Sequence, residues 1–189
     1  MVDCFEVLSL PKRAALSENE IHLAYATKSK SAHPDHGGSE AKAAELNAAY
    51  ETLRAPEKRL KHLLELAVPA DANVWRTVPL DDTMMSLFTT LGNALQASEK
   101  FLQRKAFAQS ALAKALLMNE EMQHRETLEC TGFELEKCRG EMESQLPAFD
   151  NELQTDGAAS WQQLAAMQAR FSYLAKWQTQ IRERLLALM

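Results

Sequence analysis

The sequence predicts an all-α protein, and three observations carry that prediction. Glycine and proline are scarce, six of each in 189 residues, which disfavours a turn-rich β fold. Apolar residues recur at three- and four-residue spacing instead of alternating. Helix-start signals stand where those stripes begin: Ser17-Glu18-Asn19-Glu20 is a capping box, Ser39 suits an N-cap, and Pro56 suits a first helical turn.

Taken in order, Asp3 to Leu8 allows only a short first helix or turn before Leu10-Pro11 interrupts it, with Phe5 and Leu8 in the core. From Ser17 a helix buries Ile21, Ala24 and Tyr25 and ends before Pro34. It gathers Lys28 and Lys30 in its last turn, where positive charge suits the helix dipole. After Ser39 a second helix aligns Ala43, Leu46, Tyr50 and Leu53. The two stripes can face each other in an antiparallel hairpin, with His33-Pro34-Asp35 at its corner. Pro34 fixes its own φ and biases His33 away from the helical region, and Gly37-Gly38 permits backbone shapes closed to other residues. A further helix runs from Pro56 to near Leu66, with Lys58, Arg59 and Lys61 on its outer faces.

Between Ala67 and Asp82, Pro69 and Pro79 mark a domain boundary. Val74, Trp75 and Val78 make this a packed linker, because each bulky apolar group left in water forgoes about 1.5–3 kcal/mol. From Asp82 the pattern is helical to the end and predicts a three-helix bundle. Its stripes are Met84, Met85, Phe88, Leu91 and Leu95; then Ala108, Leu112, Ala115 and Met122; then Trp161, Leu164, Met167, Phe171, Leu174, Ile181 and Leu185. Pro147 to Gly157 is the clearest break, and Thr131-Gly132 is expected to bend or fray the middle helix.

Charge and composition exclude several classes of function. With a net charge of −5 and no run of Lys or Arg, neither nucleic acid nor a membrane surface is an expected partner. The first residues lack the basic flank and apolar core of a secretory signal, and no transmembrane stretch follows. Cys4, Cys130 and Cys138 form no CxxC pair and are odd in number, which speaks against a disulfide framework and a zinc site; a reducing cytoplasm is expected. His22, His36 and His62 are not grouped and are expected at the surface, and no metal or cofactor is expected. GxSxG, P-loop, HExxH and Cys-His arrangements are absent, so there are no candidate catalytic residues and the chain is not expected to be an enzyme.

The N-terminal third resembles a J domain. His33-Pro34-Asp35 is that family's signature tripeptide, with Ala24-Tyr25 at the family's spacing before it. Leu46-Asn47, Ala49-Tyr50, Leu53, Pro56 and Arg59 follow at the family's spacing. Within J proteins the chain is similar to the HscB type, the co-chaperones of iron-sulfur cluster assembly. Leu8-Ser9-Leu10-Pro11 with an expanded connection to Ser17, the Arg59 to Leu66 ending and the helical region behind it carry that likeness. So does Trp161 followed by Arg170-Phe171-Ser172-Tyr173-Leu174-Ala175-Lys176.

The resemblance implies a J domain at residues 1–67 (a helical hairpin with an HPD loop), a packed linker at 68–81 and a client-binding helical bundle at 82–189. It implies a co-chaperone that stimulates the ATPase of a DnaK/HscA-class chaperone and delivers an iron-sulfur scaffold protein. Lys28, Lys30, His33, Pro34 and Asp35 would contact the chaperone, and Met84, Met85, Phe88 and Tyr173 the client. Departures from the family pattern are Ala32 for a usual Tyr, Lys28 at a usual apolar position, and a shorter loop after the tripeptide. Neutral residues at Thr89, Thr90, Gly92 and Asn93 replace the usual acidic face. Two readings of Met84, Met85, Phe88 and Tyr173 stand open, an exposed client surface or bundle core, and exposure separates them. A helical adaptor, or a generic J protein with a different client, is the alternative for the whole chain.

Overall fold

The computed structural model describes residues 2–32, 39–68, 80–108, 110–152 and 157–189. The stretch with Val74, Trp75 and Val78 lies outside them, as does the tripeptide His33-Pro34-Asp35 with His36. Among the described residues eight helices follow in order: α1 (Cys4–Leu8), α2 (Glu18–Ala32), α3 (Glu40–Leu53), α4 (Pro56–Ala67), α5 (Asp82–Phe107), α6 (Ala111–Glu143), α7 (Leu146–Glu152) and α8 (Gly157–Ala187). Among the described residues there is no strand. Two compact units form: Met1–Val78 with Met142–Phe171, and Pro79–Glu141 with Ser172–Met189.

The first unit starts from local rules that the sequence displays. Asp3 caps α1, its Oδ1 accepting from the amides of Phe5 at 3.0 Å and Glu6 at 3.3 Å. Burial raises the Asp3 pKa, but the Lys12 ammonium and the two amides outweigh it and hold the carboxyl below its ordinary value. Ser9 closes α1 in the left-handed region, φ 53°, and the Leu10 amide reaches back to the Phe5 carbonyl at 2.8 Å. At the start of α2 the capping box is formed: the Glu20 amide donates to Ser17 Oγ at 3.2 Å, and the Ser17 amide donates to Glu20 Oε2 at 2.8 Å. Ser39 caps α3 through the Lys42 amide, and Pro56 opens α4.

Side chains far apart in sequence then join these helices. Arg59 is 3% exposed, not on the outer face expected for it, and donates to the Ala14 carbonyl from Nε at 2.9 Å and to the Leu53 carbonyl from Nη1 at 2.7 Å. Its position on α4 aims it under the α1–α2 connection, where backbone carbonyls need donors. His62 is likewise buried, against the expectation of a surface role. Its Nε2 accepts the Cys4 amide at 3.0 Å and its ring stacks on Phe5 at 5.7 Å, so this nitrogen carries no proton in that geometry.

Residues 146–152 are helical, although Pro147 to Gly157 was expected to be a break; Pro147 sits in the first turn of α7, where its missing N–H costs nothing. Asp150 on α7 accepts the Ala14 amide at 2.5 Å and the Ala15 amide at 2.9 Å. Gln168 on α8 donates to the Glu57 carbonyl at 3.2 Å. Leu164, Met167 and Phe171 are buried, as their stripe requires.

The second unit packs α5, most of α6 and the end of α8. Met84, Leu91, Ala94 and Phe101 of α5, Leu128 and Leu135 of α6, and Leu174, Trp177 and Ile181 of α8 are buried. Thr131-Gly132 does not break α6, which runs helical through both residues; Thr131 is buried and donates its hydroxyl to the Thr127 carbonyl at 2.8 Å. The expected core stripe of α6 is corrected: Leu112 and Met122 are 71% and 67% exposed, and Ala115 is exposed too. Leu128, Thr131 and Leu135, at spacing three and four, turn a different face of α6 inward.

Replacing Arg59 by Leu removes the guanidinium donor from the Ala14 and Leu53 carbonyls, and a loss of about 3 kcal/mol is expected in urea unfolding. A loss below about 0.5 kcal/mol would show that these bonds do not stabilise the fold. The Glu20 pKa is lowered chiefly by the Ser17 hydroxyl and amide, with Arg13 adding to it. Its contribution is therefore fully present above the unfolded value and is lost as pH falls through the lower folded value. In Ser17→Ala, carboxyl NMR should find Glu20 titrating closer to its ordinary 4.5; identical titration curves would contradict the capping box.

Candidate functional site

Two surfaces gather the residues singled out by sequence. The first is the α2–α3 pair. Tyr25 stacks on Tyr50 with ring centroids 4.4 Å apart and donates its hydroxyl to Asn47 Oδ1 at 2.7 Å. Tyr25 lies seven residues before the end of α2 and Asn47 seven after the start of α3, so the helices run antiparallel. Arg54 lies over the Tyr50 ring at 5.7 Å. These contacts fix the end of α2, where Lys28 is half-buried and Lys30 exposed. The surface is cationic on the α2 side, and the helix C-terminus favours that charge.

The second surface lies in the second unit. Asp81 caps α5 through the Met84 amide at 2.8 Å, which sets the rotation of the first turn. Met84 turns inward and is 2% exposed, which corrects its assignment to an exposed client surface: it is core. Met85 and Phe88 turn outward at 48% and 50%. They are three apart and share one face. Tyr173 is half-buried on α8. Phe88 and Tyr173 each pack against Trp177, with centroids 5.9 Å apart in both pairs. Trp177, buried at 4%, is the residue that sequence reasoning missed; its signal was its place four after Tyr173, on the same helical face. Thr89, Thr90, Gly92 and Asn93 around this patch are exposed and neutral, whereas Leu91 is buried.

Among the described residues no group of three His, Cys, Asp or Glu side chains could hold a metal ion, and no helix is long and apolar enough to cross a membrane. Among the described residues Cys4, Cys130 and Cys138 form no disulfide. Burial raises the Cys4 pKa, which keeps that thiol protonated and unreactive.

The cap, the tyrosine pair and the buried Arg59 all fall within or beside one matched segment. Residues 3–62 match the family model of the DnaJ domain. This chain carries a J domain. Over 55 residues it is 47% identical to "Chaperone protein dnaJ A6" of Oryza sativa subsp. japonica, a match covering 29% of this chain and 13% of that protein. Over 60 residues it is 45% identical to "Tetratricopeptide repeat and J domain-containing co-chaperone DNJ1" of Cryptococcus neoformans var. grubii, a match covering 32% of this chain and 11% of that protein. The chain thus spans about an eighth of the length of these relatives.

Beyond the J domain the likeness is structural. "Chaperone HscB from Vibrio cholerae" superposes over 96% of this chain and 96% of its own, with a TM-score of 0.52 and 18% identity. The likeness shows an HscB-like helical fold over the 96% of this chain that is covered.

Proposed function

We propose that this J-domain protein is a co-chaperone that stimulates the ATPase of a DnaK/HscA-class chaperone and delivers to it an iron-sulfur cluster scaffold protein. The J-domain match at residues 3–62, with His33-Pro34-Asp35 in its sequence, carries this reading. The HscB fold supports the choice of client. Residues 1–67 form the chaperone-facing part and 82–189 the client-facing part, with 68–81 between them. The protein supplies no bond-making group of its own. It acts as a ligand that binds the chaperone's hydrolysis-competent state more tightly than its resting state, and so shifts that equilibrium.

Each residue has a role in this scheme. Lys28 and Lys30 steer and orient the encounter with acidic groups on the chaperone. Asp35 accepts charge-assisted hydrogen bonds from a partner cation, Pro34 holds it in place, and His33 orients the loop or donates to the partner. On the second surface Met85, Phe88 and the accessible part of Tyr173 meet the client, with Trp177 behind them as a rigid support and Met84 as core. The flexible thioether of Met85 suits an adaptable apolar contact. Three free thiols suit a reducing compartment such as the cytoplasm.

The neutral rim of Thr89, Thr90, Gly92 and Asn93 favours a second reading, in which the chaperone function stands and the client is a different protein with an apolar docking segment. Single-turnover ATPase of a cognate chaperone tests the shared half. His33→Gln should lower the stimulation by about tenfold or more, equivalent to about 1.4 kcal/mol of differential contact. Equal stimulation by the folded variant and wild type would end the chaperone proposal. Calorimetric titration of the scaffold protein tests the client. Phe88→Glu should weaken it by more than about tenfold, because a half-exposed aromatic loses its burial in the complex. Absence of wild-type binding at tens of micromolar would instead select the second reading.

A further inference from the structure

The first half of α6 presents an apolar face that none of the roles above uses. Ala111, Ala115, Met118 and Met122 recur at spacing four, three and four, and all four are exposed, Met118 at 72% and Met122 at 67%. That is the spacing of a helix-pairing seam. Met118 and Met122 line an open groove of about 850 Å³ together with Lys105, Lys114, Glu121 and Arg125 among others. The inward face of the same helix carries Leu128, Thr131 and Leu135, so the outer stripe is surplus to the fold.

We infer that this face pairs with the same face of a second copy of the chain, antiparallel, about a two-fold axis near residues 116–117. In that register Ala111 faces Met122 of the second copy and Ala115 faces its Met118. Each small residue thus meets a large one, and both pairs occur twice. Lys114 and Glu121 are one heptad apart on the same edge of the seam, where edges of like kind meet in an antiparallel pair. The two-fold sets Lys114 against Glu121 of the second copy, again twice. Glu121 is half-buried and also pairs with Lys105 of its own chain at 2.7 Å, and Lys114 is exposed.

Self-complementarity decides between a second copy and any other occupant. Turned onto itself, the face sets small residues opposite large ones and the positive group opposite the negative one. A face built for an unrelated helix has no need of that relation. Leu112, exposed at 71%, extends the apolar area along the other edge. A seam of about three helical turns falls at the low end of interface size, so the association is reversible and concentration-dependent.

Sedimentation equilibrium on the full chain, from about 5 to about 500 µM, tests the proposal, with circular dichroism confirming that each variant is helical. The wild type should rise from 21.2 kDa towards twice that mass. Lys114→Glu and Glu121→Lys, each alone, place like charges opposite each other twice and should raise the dissociation constant by about tenfold or more. An equimolar mixture of the two variants places opposite charges at both positions and should recover association. A wild-type mass of 21.2 kDa throughout overturns the inference and leaves the face to another macromolecule. Variants that associate like the wild type overturn it, and so does a mixture that remains as weak as its components.

Discussion

The peptide unit of Ala14 is held from both sides, and the order of the N-terminal unit depends on it. Its N–H donates to Asp150, and its carbonyl accepts from Arg59 and from the Leu16 amide. Ala14 is fully buried, and the connection between α1 and α2 has no helix or strand to satisfy its backbone groups. Buried backbone polar groups left without partners cost free energy comparable to a lost hydrogen bond. Here the partners come from α4 and from α7, which satisfy the Ala14 and Ala15 amides and the Ala14 carbonyl. The buried guanidinium has the converse requirement, since a desolvated cation needs acceptors. Carbonyls of Ala14 and Leu53 supply them, and one side chain thereby couples the α1–α2 connection, the end of α3 and α4 into one cooperative structure.

What was legible in the sequence was what short-range chemistry specifies. The capping box at Ser17, the cap at Ser39, Pro56 in a first turn and the facing stripes of Tyr25 and Tyr50 all involve residue types whose roles follow from their own backbone position or a helical spacing. What was not legible is long-range. Asp150 lies 136 residues from Ala14, and nothing in an Asp-Asn pair distinguishes a turn former from an acceptor for a distant loop. Arg59 and His62 read as surface residues by type, because charged and imidazole side chains usually are. Their burial follows from carbonyls and an amide that only the folded chain brings to them. Phe88 and Tyr173 were visible as apolar residues, but not their common packing partner: Trp177 becomes meaningful only when α5 and α8 are adjacent.

Helix α6 shows a different limit. It carries two apolar faces in succession, one through Ala111, Ala115, Met118 and Met122, the other through Leu128, Thr131 and Leu135. Periodicity identifies a helix from either face and cannot say which one a core will cover. The structure covers the second. Large apolar groups left in water on the first forgo a stabilisation of about 1.5–3 kcal/mol each when fully exposed, a cost that only association recovers. A single exposed methionine is ordinary, whereas a row of four small and large residues at pairing spacing requires a reason.

The two surfaces of the proposed co-chaperone differ in the physics available to them. In the proposed function, lysines at the end of α2 act over a Debye length, so they would raise encounter rates and lose influence as salt rises. Met85, Phe88 and the ring cluster behind them have neutral neighbours, so nothing there steers a partner from a distance. Affinity on that side must come from apolar area removed from water and from the rigidity that Trp177 lends to Phe88 and Tyr173. Such a contact is set mainly by how slowly it dissociates. In the proposed function, a client held this way would stay bound while a chaperone encounter governed by charge forms and breaks on the J-domain side. The exchange of Met84 for Met85 as the outward residue matters to that division: one turns into the core and fixes α5, and its neighbour is left free to adapt.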